Sequence, residues 1–87
     1  MTAGREDDGL LPATHALYRG ERDRAAELLP PDDELRADEA ALFGRVERLR
    51  DLLDEAPASA NEFSPDGFSP LHLAVFGGHE PAVRLLI

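Results

Sequence analysis

The chain has 87 residues and a formal charge of −9, from 18 acidic against nine basic side chains, with no cysteine. That length allows one small domain. The acidic balance argues against a nucleic-acid partner, whose binding rests on neutralised phosphates, and the missing cysteines exclude disulfides, thiolate chemistry and cysteine-type zinc fingers.

Taken in chain order, residues 1–7 are acidic where a secretory leader would be basic and then apolar, and they are expected to form a flexible tail. A first unit spans about 8–29. Asp8-Gly9 suits a tight turn, since glycine accepts positive φ. Pro12 stands at the start of a helix, where a missing N–H does no harm, and Gly20 ends it. A second helix is expected from near Arg22 to Leu28-Leu29, before Pro30-Pro31. The next unit, about 32–53, turns at Asp32-Asp33 and starts its first helix near Leu35, with Arg36 where the first unit has proline. That helix closes at Gly44, and its partner begins near Val46 and ends at Leu52-Leu53. After the spacer 54–65, a third unit spans about 66–87. It has Asp66-Gly67 at the turn, Ser69 as helix cap, Pro70 at the first helical position and an apolar stripe through Leu71 and Ala74. Gly78 ends the helix, and another follows from Pro81 to Ile87. No apolar run approaches the ~20 residues that a bilayer span needs, so a membrane partner is not expected and a cytoplasmic location is. All nine basic residues are arginine, beside 13 alanines and 14 leucines. We read this as the coding bias of a GC-rich, bacterial genome.

Aligned on Gly20, Gly44 and Gly78, the units share Ala16, Ala40 and Ala74 four residues earlier and Leu29, Leu53 and Ile87 nine residues later. The run Ser69-Pro70-Leu71-His72-Leu73-Ala74, followed by Gly77-Gly78-His79, resembles the T-P-L-H-x-A turn and first helix of an ankyrin repeat. Serine in place of threonine keeps the capping hydroxyl. The resemblance implies an all-α, ankyrin-type solenoid of about three stacked antiparallel helix pairs, covering 8–87, with the last repeat truncated. From Gly20 to Gly44 is 24 residues and from Gly44 to Gly78 is 34, against a family period of about 33. The shortfall at Pro30-Pro31 removes the β-hairpin finger between the first two pairs, and a different local curvature is expected there. At most one short finger remains, in 54–65.

His72 and His79 are seven residues apart across a helix-ending glycine, unlike the i, i+4 pair of a helical zinc site. The resemblance gives both a structural role, in the turn and between neighbouring loops. Ser64, Ser69, His72 and Asp66 lack the strained nucleophile elbow and oxyanion hole of a hydrolase. The carboxylate pairs at the turns lack calcium-loop spacing. No metal, cofactor, small-molecule substrate or catalytic residue is therefore expected.

In ankyrin arrays the finger tips and one side of the inner helices form the recognition surface. By resemblance, those positions are Pro65, Asp66, Phe68, Phe76 and Gly77 in the third unit, Leu42 and Phe43 in the second, and Tyr18 and Arg19 in the first. The expected function is protein–protein recognition as a scaffold or adaptor, with no catalysis. The alternative is a recognition or regulatory segment of a longer enzyme or effector whose catalytic domain is not in this sequence.

Overall fold

The computed structural model describes residues 4–87. Within them lie six α-helices and no strand: α1 (Pro12–Tyr18), α2 (Arg22–Leu28), α3 (Ala37–Leu42), α4 (Val46–Glu55), α5 (Pro70–Gly77) and α6 (Glu80–Leu86). A 3-10 turn, Asp32–Glu34, leads into α3, and a second, Pro57–Asn61, follows α4. Helices of this length are marginal alone in water, so the reasons for their stability lie in how they are closed and packed.

One backbone device closes all three pairs. The N–H after each glycine donates to the carbonyl of the aligned alanine: Glu21 to Ala16 at 2.9 Å, Arg45 to Ala40 at 2.8 Å and His79 to Ala74 at 3.0 Å. The glycine N–H itself donates to Leu17, Ala41 and Val75 respectively. This reciprocal pair of bonds satisfies carbonyls that a helix end leaves orphaned, and it requires a left-handed residue. The three glycines supply it, at φ +82°, +71° and +74°. The alanines are completely buried, because the returning helix folds back over them.

The α3 helix is the centre of the molecule, and all six of its residues are buried. It packs on α4 and α5, while α1 pairs with α2 and α5 with α6. The main core is built from small residues on facing helices, Ala37, Ala40, Ala41, Ala74 and Ala82 around Leu49, with Val46, Leu52, Val83 and Leu86 among those sealing the edge. Small side chains let the backbones approach closely: a Cβ on Gly77 would lie 2.5 Å from the Leu42 carbonyl oxygen. A second cluster, Leu11, Ala13 and Leu35 with Leu28, Leu29 and Phe43 around it, joins the first pair to the second.

One local detail differs from the sequence-based expectation, and a second falls within it. The α3 helix starts at Ala37, two residues later than expected, because Leu35 stays extended and is buried in the second cluster. Glu39 then reaches back to accept the Arg36 N–H at 2.9 Å, which marks the true helix start. The spacer 54–65 makes no hairpin strands. Pro57, with its fixed φ, opens the 3-10 turn instead, and a tight turn follows, with Ser64 N–H donating to the Phe68 carbonyl at 2.7 Å and Gly67 N–H to the Ser64 carbonyl at 2.9 Å. The first unit repeats that turn, Glu6 to Leu10 at 2.7 Å and Gly9 to Glu6 at 2.9 Å.

The first pair does not simply form the next layer of the stack. It touches the third unit directly: a Cβ on Gly9 would lie 2.9 Å from Pro65 Cγ, and Tyr18 meets Phe76 with ring centroids 5.6 Å apart. Part of the stretch expected as a flexible tail, residues 1–3, lies outside the described residues. Within the remainder, Arg5 donates to both oxygens of Glu39, at 3.0 and 2.8 Å, and to the Glu34 carbonyl at 3.2 Å. Glu39 is 2% exposed and also meets Arg36 Nη2 at 3.1 Å. Beside it, burial pushes the Asp38 carboxyl above its usual range, against the opposing pull of the Arg36 guanidinium.

Two predictions follow from this packing. Glu39→Ala should cost about 3 kcal/mol or more in a denaturant titration, since it leaves guanidinium groups without their buried partner. Arg5→Ala should cost only about 1 kcal/mol, because Arg36 still serves the carboxylate; equal losses would show that Glu39 is not the node. Gly20→Ala, in open space, should cost about 1 kcal/mol from its left-handed φ alone, whereas a Cβ on Gly44 also runs into the His79 imidazole. Gly44→Ala should therefore cost about 2–3 kcal/mol, and matching values for the two variants would rule out the steric part.

Candidate binding surface

The turn at 64–68 and α5 together set out a row of side chains. Ser64 Oγ bonds to the Asp66 carboxylate and accepts from the Phe68 N–H at 3.1 Å, which fixes Asp66 and Phe68 at the tip. Ser69 caps α5 by accepting the His72 N–H at 3.1 Å, and its hydroxyl lies 3.0 Å from His72 Nδ1. The cap holds His72 beside Phe68, with ring centroids 6.5 Å apart at 64°. One turn further along α5, Val75 and Phe76 are each 62% exposed.

Across from them, α1 ends in Tyr18. Its ring stands edge-on to Phe76, at an interplanar angle of 84°, and its hydroxyl donates to Asp66 Oδ2 at 3.2 Å. Burial, then the Asp66 charge and that hydrogen bond, push the Tyr18 phenol up to about 12. Tyr18, Phe68, His72, Leu73, Val75 and Phe76 enclose an open cleft of about 500 Å³ with almost wholly apolar walls.

The nine residues expected at the recognition surface fall into three groups. Tyr18, Phe68 and Phe76 converge on the cleft, with Asp66 bonded to Tyr18 at its rim and Pro65 next to it against Gly9. Leu42 is 1% exposed, Phe43 packs on the second core cluster, and Gly77 is the point of close approach to Leu42. These three line an adjoining cleft that shares Tyr18 and Phe76 with the first and also takes in Arg22 and Arg45. Arg19 faces elsewhere, paired with Glu21 at 3.3 Å in a separate polar cleft beside His15 and Arg24. Val75 and His72 line the cleft although sequence reasoning did not select them. The signal was there for the helical part: 72, 75 and 76 share one face of α5, at the three- and four-residue spacing of helical neighbours. His79 packs its imidazole over Gly44 and Gly77, between the ends of α3 and α5.

Residues 37–87 match the family model described as ankyrin repeats (many copies). The match takes in α3 to α6, more than half of the chain. The chain belongs to the ankyrin repeat family. Comparison with curated proteins and with solved structures returned no match. Ankyrin repeats generally mediate protein–protein interaction, and such domains are typically non-catalytic. The α1–α2 pair lies outside the matched span yet has the same glycine exit as the two ankyrin pairs within it. No helix among the described residues is long and apolar enough to cross a membrane.

Tyr18 is the only tyrosine and there is no tryptophan, so its ionisation can be followed alone by near-ultraviolet absorbance. The midpoint should fall near pH 12 rather than 10. Because the folded-state pKa is raised, stability is unaffected below about pH 10 and is lost as pH climbs through about 12. Asp66→Asn should lower the midpoint only in part, since burial, the larger cause, remains. A midpoint of 10 in the parent chain would mean that Tyr18 is free in solution.

Proposed function

We propose that this ankyrin repeat chain is a non-catalytic protein-recognition module, and that its partner docks on the cleft between α1 and α5. The observation that carries the reading is the contiguous exposure of Phe68, Val75 and Phe76 beside Tyr18, in a cleft with almost no polar wall. Contiguous apolar surface of this kind marks interaction sites, and aromatic side chains dominate binding energy where they occur at interfaces. Pro65 and Asp66 form the rim. Leu42, Phe43 and Gly77 line the adjoining cleft that shares Tyr18 and Phe76, and Arg19 serves a separate face.

The test is a double variant, Phe68→Ser with Phe76→Ser, compared with the parent by circular dichroism and by capture of a cognate partner. Affinity should fall by roughly tenfold to a thousandfold while helical content is retained. Some stability should be lost with the Tyr18–Phe76 ring pair, about 1 kcal/mol. Glu47→Gln on α4, remote from the cleft, should leave capture nearly unchanged. Undiminished capture by the double variant would place the contact elsewhere.

A further inference from the structure

Resting on that reading, we infer that the cleft takes a partner segment that lays a lysine or arginine side chain across the aromatic rings beside a bulky apolar residue, with its cationic head at Asp66.

Three observations lead there. The first is the chemistry of the walls. Tyr18 and Phe76 meet edge to face, so the rings do not bury their faces against each other by stacking. Both line the cleft and keep exposed surface, and aromatic faces attract cations as well as hydrocarbon. A long cationic side chain satisfies both demands, because its methylene stem is apolar and its head is charged.

The second observation is the state of Asp66. One of its oxygens accepts from Tyr18 and the other bonds Ser64 Oγ. A carboxylate has about four lone-pair sites, so two remain, and the residue is exposed. The Tyr18 and Ser64 contacts hold the carboxylate in place before anything binds, and a pre-positioned acceptor loses less freedom on binding.

The third is charge. The cleft lining contains none of the nine arginines. Arg5 and Arg36 are held at Glu39 and Asp38, Arg45 at Asp32, Arg84 at Glu80, and Arg19 opens onto a different cleft. Among the described residues no arginine forms an ion pair with Asp66, and the net charge of −9 favours a basic partner at long range. An acidic segment would meet repulsion at the rim and throughout the approach.

The experiment uses three capped pentapeptides with a central leucine, flanked by lysine, by acetyl-lysine or by glutamate. Each is titrated into the isotopically labelled chain and followed by amide NMR shifts. The lysine peptide should bind at least tenfold more tightly than the glutamate peptide and several-fold more tightly than the acetylated one. Its shifts should centre on Phe68, His72, Val75 and Phe76, and its affinity should fall with added salt. Asp66→Asn should reduce the lysine preference to about twofold, whereas Glu47→Gln, an acid of the remote α4 face, should leave it intact. Phe68→Ser with Phe76→Ser should abolish the shifts of all three peptides. Equal binding of lysine and glutamate peptides in the cleft would overturn the basic-partner assignment and leave the docking surface standing. A lysine preference that Glu47→Gln weakens as much as Asp66→Asn would reduce it to bulk charge and overturn it as well. Shifts that map away from α5, or none from any peptide, would overturn both readings.

Discussion

The bond from the residue after each glycine back to a buried alanine carbonyl is the constraint on which the architecture rests. It fixes the angle at which each second helix returns, and it recurs at Ala16, Ala40 and Ala74 with nearly constant length. Alanine suits that position because a larger side chain would hold the returning helix away, and glycine suits the position four residues on because only it takes the left-handed turn cheaply. Once the three hairpins are shaped alike, α3 and α5 can lie close enough for a glycine to face a carbonyl. Alanine-rich packing then replaces the bulky core that a chain of this size could not otherwise fill.

Around that frame, a single buried carboxylate organises the polar contacts of the second unit. Glu39 holds Arg5, Arg36 and the Arg36 N–H together, and Arg36 in turn reaches the Gly9 carbonyl at 3.3 Å. Burying an unpaired charge is costly, so the two guanidinium groups are a condition of placing Glu39 at the core edge. The same contacts hold the first turn against the second unit, where the short Pro30-Pro31 joint leaves no finger to do so. Positioning of α1, and through Tyr18 the shape of the cleft, thus traces back to acid–base pairing well away from the aromatic rings.

The helix pairs were legible because they are local: glycine exits, proline starts and aligned alanines all act within a few residues of themselves. The start of α3 was misjudged by two residues because Leu35 serves a tertiary cluster rather than its own helix, and a leucine carries no mark of that in sequence. The folding of 54–65 was unreadable for a similar reason, since length alone does not separate a hairpin from a 3-10 turn and a tight turn. At the candidate site, the family pattern selected Phe68, Phe76 and Tyr18, which the fold brings together. It also selected Leu42, which the fold buries at the end of α3. The Tyr18–Asp66 bond spans 48 residues and the Arg5–Glu39 pair 34; no periodicity predicts contacts across such distances.

Those two long spans alter how the molecule comes apart. In a linear stack each unit touches only its neighbours, so stability is a sum of nearest-neighbour terms and the outermost unit frays first. Here the first pair is tied to the third as well as to the second, through Tyr18 with Phe76 and Gly9 with Pro65. The topology is closer to a closed triangle than to a line. For the first pair to come away, the Tyr18–Phe76 and Gly9–Pro65 contacts must break along with those to the second unit, so its release is tied to the third unit in a way that the end of a linear stack is not.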